Sequence, residues 1–154
     1  MPVIRDPAKL DGRRGTIYPA EFAEGFGGRI KRALGDAGGL TQFGVNLTTL
    51  DPAAISALRH WHSSEDEFVF VLAGELTLIT DGGEEAMTAG MAAAFPAGEA
   101  NAHQLANRGI VPATYLEIGT RARDDDIAYP DVDLRLVKRD GRRMFARKSG
   151  EPYE

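Results

Sequence analysis

The sequence predicts an all-β fold, an antiparallel barrel or sandwich built as one domain. Three observations predict it. From Leu40 onward apolar and polar residues alternate with period two, the period of a half-buried strand. Turn signals recur roughly every 8–12 residues as far as Gly119. No long helical pattern separates the candidate strands, which argues against a parallel sheet with crossover helices. The chain has 154 residues, within reach of one core, and its 18 glycines and 8 prolines suit a fold rich in turns.

Residues 1–39 read as an arm, broken by Pro2, Pro7, Pro19, Gly12 and Gly15. One short helix is expected within it, Gly28 to Leu34, because Ile30, Ala33 and Leu34 fall on one side. Gly25, Gly27 and Gly28 weaken it, at roughly 1 kcal/mol each against alanine. Residues 40–119 form the expected barrel core. Phe43, Val45 and Leu47 mark a strand, and Ile55 to Trp61 a second. Glu67 to Ala73 is apolar on both faces, as a strand inside a barrel would be. Gly74-Glu75 turns the chain into Leu76–Thr80, and Asp81-Gly82-Gly83 supplies the positive φ of a second hairpin turn. Glu84–Thr88, Met91–Phe95, Gln104–Asn107 and Ala113–Ile118 complete the set. Residues 120–154 are an extension packing on the same domain, with a hairpin of Leu134–Arg139 and Arg142–Lys148 around Asp140-Gly141. Between Leu134 and Lys148 stand seven Lys/Arg and one acid, Asp140, the pattern of a solvated edge hairpin.

Composition excludes several classes of function. The net charge of -5 has the wrong sign for a non-specific nucleic-acid binder. There is no apolar run of about 18 residues, so no membrane span is expected. The first residues lack an apolar signal core, and a cytoplasmic location is the expectation. Zero cysteines remove disulfides, thiolate nucleophiles and thiolate zinc sites.

The chain holds three histidines: His60, His62 and His103. Residues i and i+2 of a strand face the same side, so His60 and His62 can aim at one point, with Trp61 opposite. A polar turn, Ser63 to Asp66, folds Glu67 back beside them. A carboxylate leading into so apolar a strand needs a partner, and a divalent cation is the most economical one. His103 lies on a different hairpin, and a barrel can return its side chain to the same interior.

These residues resemble the first sequence motif of the cupin superfamily: His60-X-His62, four residues, Glu67, six residues, Gly74. Gly90, five residues, Pro96-X-Gly98, then His103, three residues, Asn107 resembles the second motif more loosely. Family members commonly have two residues between that glycine and the histidine; here Glu99 to Ala102 make four, and Asn101 occupies the usual histidine position. The spacing to Asn107 favours His103, with the loop expanded. Ala54 and Met91 depart from the motif in turn positions only. Leu40 to Leu47, Arg59 to Ser63 and Tyr129 to Leu134 look like one branch of small bacterial cupins, largely uncharacterised, some carrying the provisional label sugar-phosphate isomerase. The resemblance implies a jelly-roll barrel (a double-stranded β-helix), often a homodimer, with one divalent transition metal (Zn, Mn, Fe, Ni or Co) held by His60, His62, Glu67 and His103.

Three imidazoles and one carboxylate leave an octahedral ion with two open positions and about one net positive charge, a Lewis acid for a bidentate oxygen ligand. The favoured function is an enzyme performing isomerisation or a related proton transfer on a small oxygen-rich molecule: a sugar, sugar phosphate or keto acid. An Fe(II)-dependent dioxygenase and a non-catalytic, metal-anchored binding protein are the alternatives. Glu117, on an otherwise apolar strand, is the candidate catalytic base, though a salt-bridged role competes. Gln42 and Asn46 share a strand face and are candidate substrate hydrogen-bonders. Arg59, Glu65 and Asp66 are expected at the surface.

Overall fold

The computed structural model describes residues 3–154. A short arm strand, β1 (Arg13–Arg14), is followed by β2 (Arg29–Ala33), a single helical turn α1 (Leu34–Ala37), and β3 (Phe43–Leu50). Then come β4 (Trp61–His62), β5 (Glu67–Ala73), β6 (Glu75–Thr80), β7 (Gly83–Thr88), β8 (Ala92–Phe95), β9 (Gln104–Ala106) and β10 (Ala113–Thr120). The C-terminal extension adds β11 (Asp125–Tyr129), β12 (Leu134–Arg139) and β13 (Arg142–Ala146). All pairings are antiparallel, in sheets ordered β1-β2-β3-β10-β5-β8, β13-β12-β11-β4 and β7-β6-β9. The all-β expectation holds. No helix among the described residues is long and apolar enough to cross a membrane.

Two element assignments are corrected. The stretch expected as a helix, Gly28 to Leu34, is mostly strand β2, which pairs with β3 from Arg29↔Leu50 to Ala33↔Asn46. Its preceding glycines disfavour a helix, and the open edge of β3 offers a full ladder, so tertiary pairing overrides a weak local preference. The helical turn comes later, at Leu34–Ala37. The Ile55–Trp61 strand is not continuous: Ile55 bridges Ala106, His60 bridges His103, and regular pairing begins at Trp61. Pro52 and the positive φ of Ala53 (71°) precede this irregular run.

The main core gathers Leu50, Val69, Val71, Leu76, Met87, Leu105, Ala113 and Tyr115. A second cluster, centred on Tyr129, Leu134 and Leu136, is closed by Tyr18 and Phe22 of the arm and Tyr153 near the C-terminus. Thus the arm packs over the C-terminal sheet. The doubly apolar strand β5 buries Val69 and Val71 but leaves Phe68 and Leu72 on the surface, 38% and 44% exposed. Gly74 joins β5 to β6 at φ 78°, and a Cβ there would meet Ala113 Cα and Pro112 O at 2.8 Å. Only glycine fits both the dihedral and the space. The inner face of the large sheet and the inner face of the C-terminal sheet enclose a cavity of about 510 Å³.

Candidate functional site

The three histidines arrive on two segments that pair directly. His60 and His103 are opposed residues, each backbone N–H donating to the other's carbonyl, at 3.1 and 2.9 Å. Their ring centroids lie 4.7 Å apart, and those of His60 and His62 lie 5.2 Å apart. Glu67, first residue of β5, stands between them. Its Oε1 is 3.3 Å from His60 Nε2 and in contact with His62 Nε2; its Oε2 is 3.3 Å from His103 Nε2. His60, His62 and Glu67 form a group that could hold a metal ion, with His103 at the carboxylate's other oxygen. Asn101 is elsewhere: its Oδ1 accepts from Asp81 N–H at 3.0 Å.

The ring orientations are set from behind. His60 Nδ1–H donates to Leu58 C=O at 2.7 Å, and His62 Nδ1–H donates to Asp125 Oδ2 at 2.6 Å. Phe95 stacks on His103, centroids 3.6 Å apart and planes within 5°. The Nδ1 proton of His60 or His62 is therefore committed, and a neutral ring points a bare Nε2 lone pair at the Glu67 carboxylate. Lone pair against carboxylate is repulsive unless extra protons or a cation lie between. A divalent ion relieves that conflict for the whole set, so the residues fit a metal.

The electrostatics of these side chains agree. Burial opposes a charge on His62, yet hydrogen bonds to Asp125 and Glu67, with their negative charge, push its pKa up to about 10. Burial alone would raise Glu67, but its hydrogen bonds with His103, His60 and His62 hold it well below the ordinary range. His103 is lowered, because burial outweighs its bond to Glu67. Asp125 is buried against desolvation and held down by His62 and by the backbone N–H of Ser64.

The site opens into the 510 Å³ cavity and, on the other side, into a smaller one of about 200 Å³ lined by Trp61, Phe95 and Asn101. Glu117 lines the large cavity. It is also salt-bridged, to Lys31 Nζ at 3.1 Å, and accepts from Asn46 Nδ2 at 3.4 Å. Asn46 lines the cavity as well. Gln42 does not: it is exposed, one residue before β3 begins, beyond the point where the sheet covers the cavity. Glu65 departs from its expected surface place, bonding Lys138 Nζ and Ala122 N–H in the interior. The basic hairpin is not wholly solvated either, since Lys138 is buried. Arg59 lies outside the site, paired with Asp131 and Asp81.

Sequence reasoning missed Asp125, Lys138 and Arg29. Asp125 had a signal. Within Asp124-Asp125-Asp126 it is the residue in phase with Ile127 and Tyr129, the inward side of β11. Lys138 is in phase with Leu134 and Leu136 in the same way.

Comparison with known proteins adds the following. A family model described as "Cupin domain" matches residues 46–119. A solved structure described as a sugar phosphate isomerase from Silicibacter pomeroyi is 45% identical, with TM-score 0.90, covering 96% of this chain and 94% of that one. A structure from Acidithiobacillus ferrooxidans, assigned the same activity provisionally, is 28% identical, with TM-score 0.81 over 96% and 91%. A polyketide cyclase from Streptomyces resistomycificus shares the fold at 20% identity and TM-score 0.62, over 78% and 79%. No curated protein matches the chain.

Proposed function

Since the chain belongs to the cupin superfamily, we propose that it is a metal-dependent enzyme catalysing proton transfer, an isomerisation, on a small polyoxygenated substrate. The observation that carries this reading is one cavity holding both the His/Glu cluster and a separate carboxylate, Glu117. His60, His62, Glu67 and His103 would hold a divalent transition metal, which supplies Lewis-acid polarisation of a substrate carbonyl or hydroxyl. Glu117 takes the proton from the adjacent carbon and returns it to the neighbouring one. Lys31 and Asn46 hold the Glu117 carboxylate in place. The description carried by the Silicibacter pomeroyi protein supports sugar phosphates as the first substrates to test.

The test is hydrogen–deuterium exchange at the carbon beside the carbonyl, followed by NMR in deuterated water without oxygen, across a panel of aldose and ketose phosphates. The reading expects exchange by the wild type and a loss of about 10²–10⁴-fold in Glu117→Gln, the usual range for a general base. Exchange unchanged in Glu117→Gln would overturn the assignment of the base. No exchange with any panel member, in protein loaded with each candidate metal, would overturn the reaction.

A further inference from the structure

The large cavity contains a buried positive charge with no carboxylate beside it. Arg29, on β2, is 5% exposed and lines the cavity that holds the His/Glu cluster. Its Nη1 donates to Ser56 C=O, and its Nη2 donates to Gly15 C=O at 2.7 Å. Its Nε–H is buried without a partner. The other cavity-lining charges away from the metal cluster are mostly accounted for: Lys31 with Glu117, Lys138 with Glu65, and Arg121 with Asp36. Arg13 and Arg143 reach solvent. Among the described residues no salt bridge reaches Arg29.

Two carbonyl dipoles do not neutralise a guanidinium, which stays protonated at any physiological pH. A buried charge without a counter-ion is strongly disfavoured unless something completes it. The surroundings are also incompletely satisfied. Tyr115 and Thr48, opposed residues on β10 and β3, have fully buried hydroxyls with no polar partner but each other. Lys31 is opposed to Thr48 in the same row, and Arg29 lies one inward position further along β2. An unpartnered guanidinium N–H and two buried hydroxyls thus lie on neighbouring strands.

We propose that Arg29 is the anion-binding subsite of this cavity and takes a phosphate or carboxylate group of the substrate. This inference rests on the functional reading above, which places the oxygen-chelating end of the substrate at the His/Glu cluster. The segment that carries His60 ties the two ends together. Arg29 holds Ser56 C=O, and Leu58 C=O holds His60 Nδ1. His60 lies four positions after Ser56, so the two Cα atoms are at most about 14 Å apart. A sugar-sized molecule with an oxyanion at one end fits that span. The substrate is therefore an anionic hydroxy-carbonyl compound, with Arg29 setting specificity for the charged end.

The test is isothermal titration of the purified protein with D-ribose, D-ribose 5-phosphate and D-ribonate, with metal content measured in parallel. Wild type should bind at least one of the anionic ligands about tenfold or more tighter than ribose, as a charge-assisted Arg contact predicts. A gain for the phosphate alone identifies a phosphate ester, and a gain for ribonate alone a carboxylate. Arg29→Met should abolish that gain, leaving ribose binding and metal content unchanged. Should Arg29→Met fail to fold, wild type decides: inorganic phosphate should compete with the favoured anionic ligand and leave ribose affinity unaltered. Equal binding of neutral and anionic ligands, or a gain that survives in Arg29→Met, overturns the subsite while leaving the functional reading intact. Binding of none of the three ligands overturns both.

Discussion

At the scale of single residues, the candidate site depends on side chains that never reach its centre. Asp125 is one. Its carboxylate accepts from His62 Nδ1–H, from the Ser63 hydroxyl and from Ser64 N–H, so it is itself held in place. It fixes the tautomer that leaves His62 Nε2 free to face Glu67. Asp125→Asn weakens that hold, because the amide can present its N–H₂ to the ring instead of an acceptor. We expect metal affinity to fall about 10–100-fold, with secondary structure by circular dichroism unchanged; unchanged affinity would restrict Asp125 to a structural part. Asn107 is a different case. It is fully buried, donates to Leu50 C=O and Val111 C=O at 2.8 Å each, and accepts from Gly109 N–H at 2.9 Å. It ties the loop after β9 to the end of β3. Asn107→Ala leaves those backbone groups unpaired and should destabilise by about 2–4 kcal/mol, read from urea unfolding.

At the scale of elements, hairpins were the most legible part of the sequence. Asp140-Gly141 turns β12 into β13 with positive φ at both residues, 49° and 77°, as the residue pair demands. Gly74 was legible too, and its substitution tests why. Gly74→Ala forces a Cβ against Ala113 and Pro112 at a positive φ, which should cost about 2–4 kcal/mol in the same unfolding assay. What could not be read locally was β2. Arg29, Lys31 and Ala33 face inward while Ile30 and Arg32 face out, so the buried side is the charged one. A period-two rule based on apolar residues has nothing to detect in that pattern. That inversion hid Arg29, whereas Lys138 follows the apolar phase of Leu134 and Leu136. Within the motif residues, by contrast, His60, His62 and Glu67 do stand within reach of one another, although His60 precedes β4 and β4 and β5 belong to different sheets. Gln42 failed because parity gives a residue's face but not how far the sheet's cover extends.

At the scale of the whole molecule, the C-terminal extension is a wall of the cavity. β11 pairs with β4, the strand that carries His62, and with β12 behind it brings Asp125, Tyr129 and Lys138 to the cavity wall. The arm closes the same side through Tyr18, whose ring packs on Tyr129 and Phe145. The enclosed charge couples metal uptake to pH. In the metal-free protein the His62 imidazole stays protonated to about 10. Its Nε2 proton must leave when a metal binds, so lower pH favours the metal-free form. Between pH of about 7 and 9, uptake should release about one proton, and log affinity should rise by about one per pH unit. Titration in buffers of differing ionisation enthalpy reads this directly; an affinity that is flat or falls with pH would show that His62 is not a ligand.

The most direct measurement is the metal content of the purified chain, by elemental analysis after equilibration with Mn, Fe, Co, Ni or Zn and gel filtration. The wild type should retain about one ion per chain, and His62→Ala and Glu67→Gln should retain almost none while remaining folded. A wild type that holds no ion, or folded variants that keep full stoichiometry, would contradict a metal centre at His60, His62, Glu67 and His103.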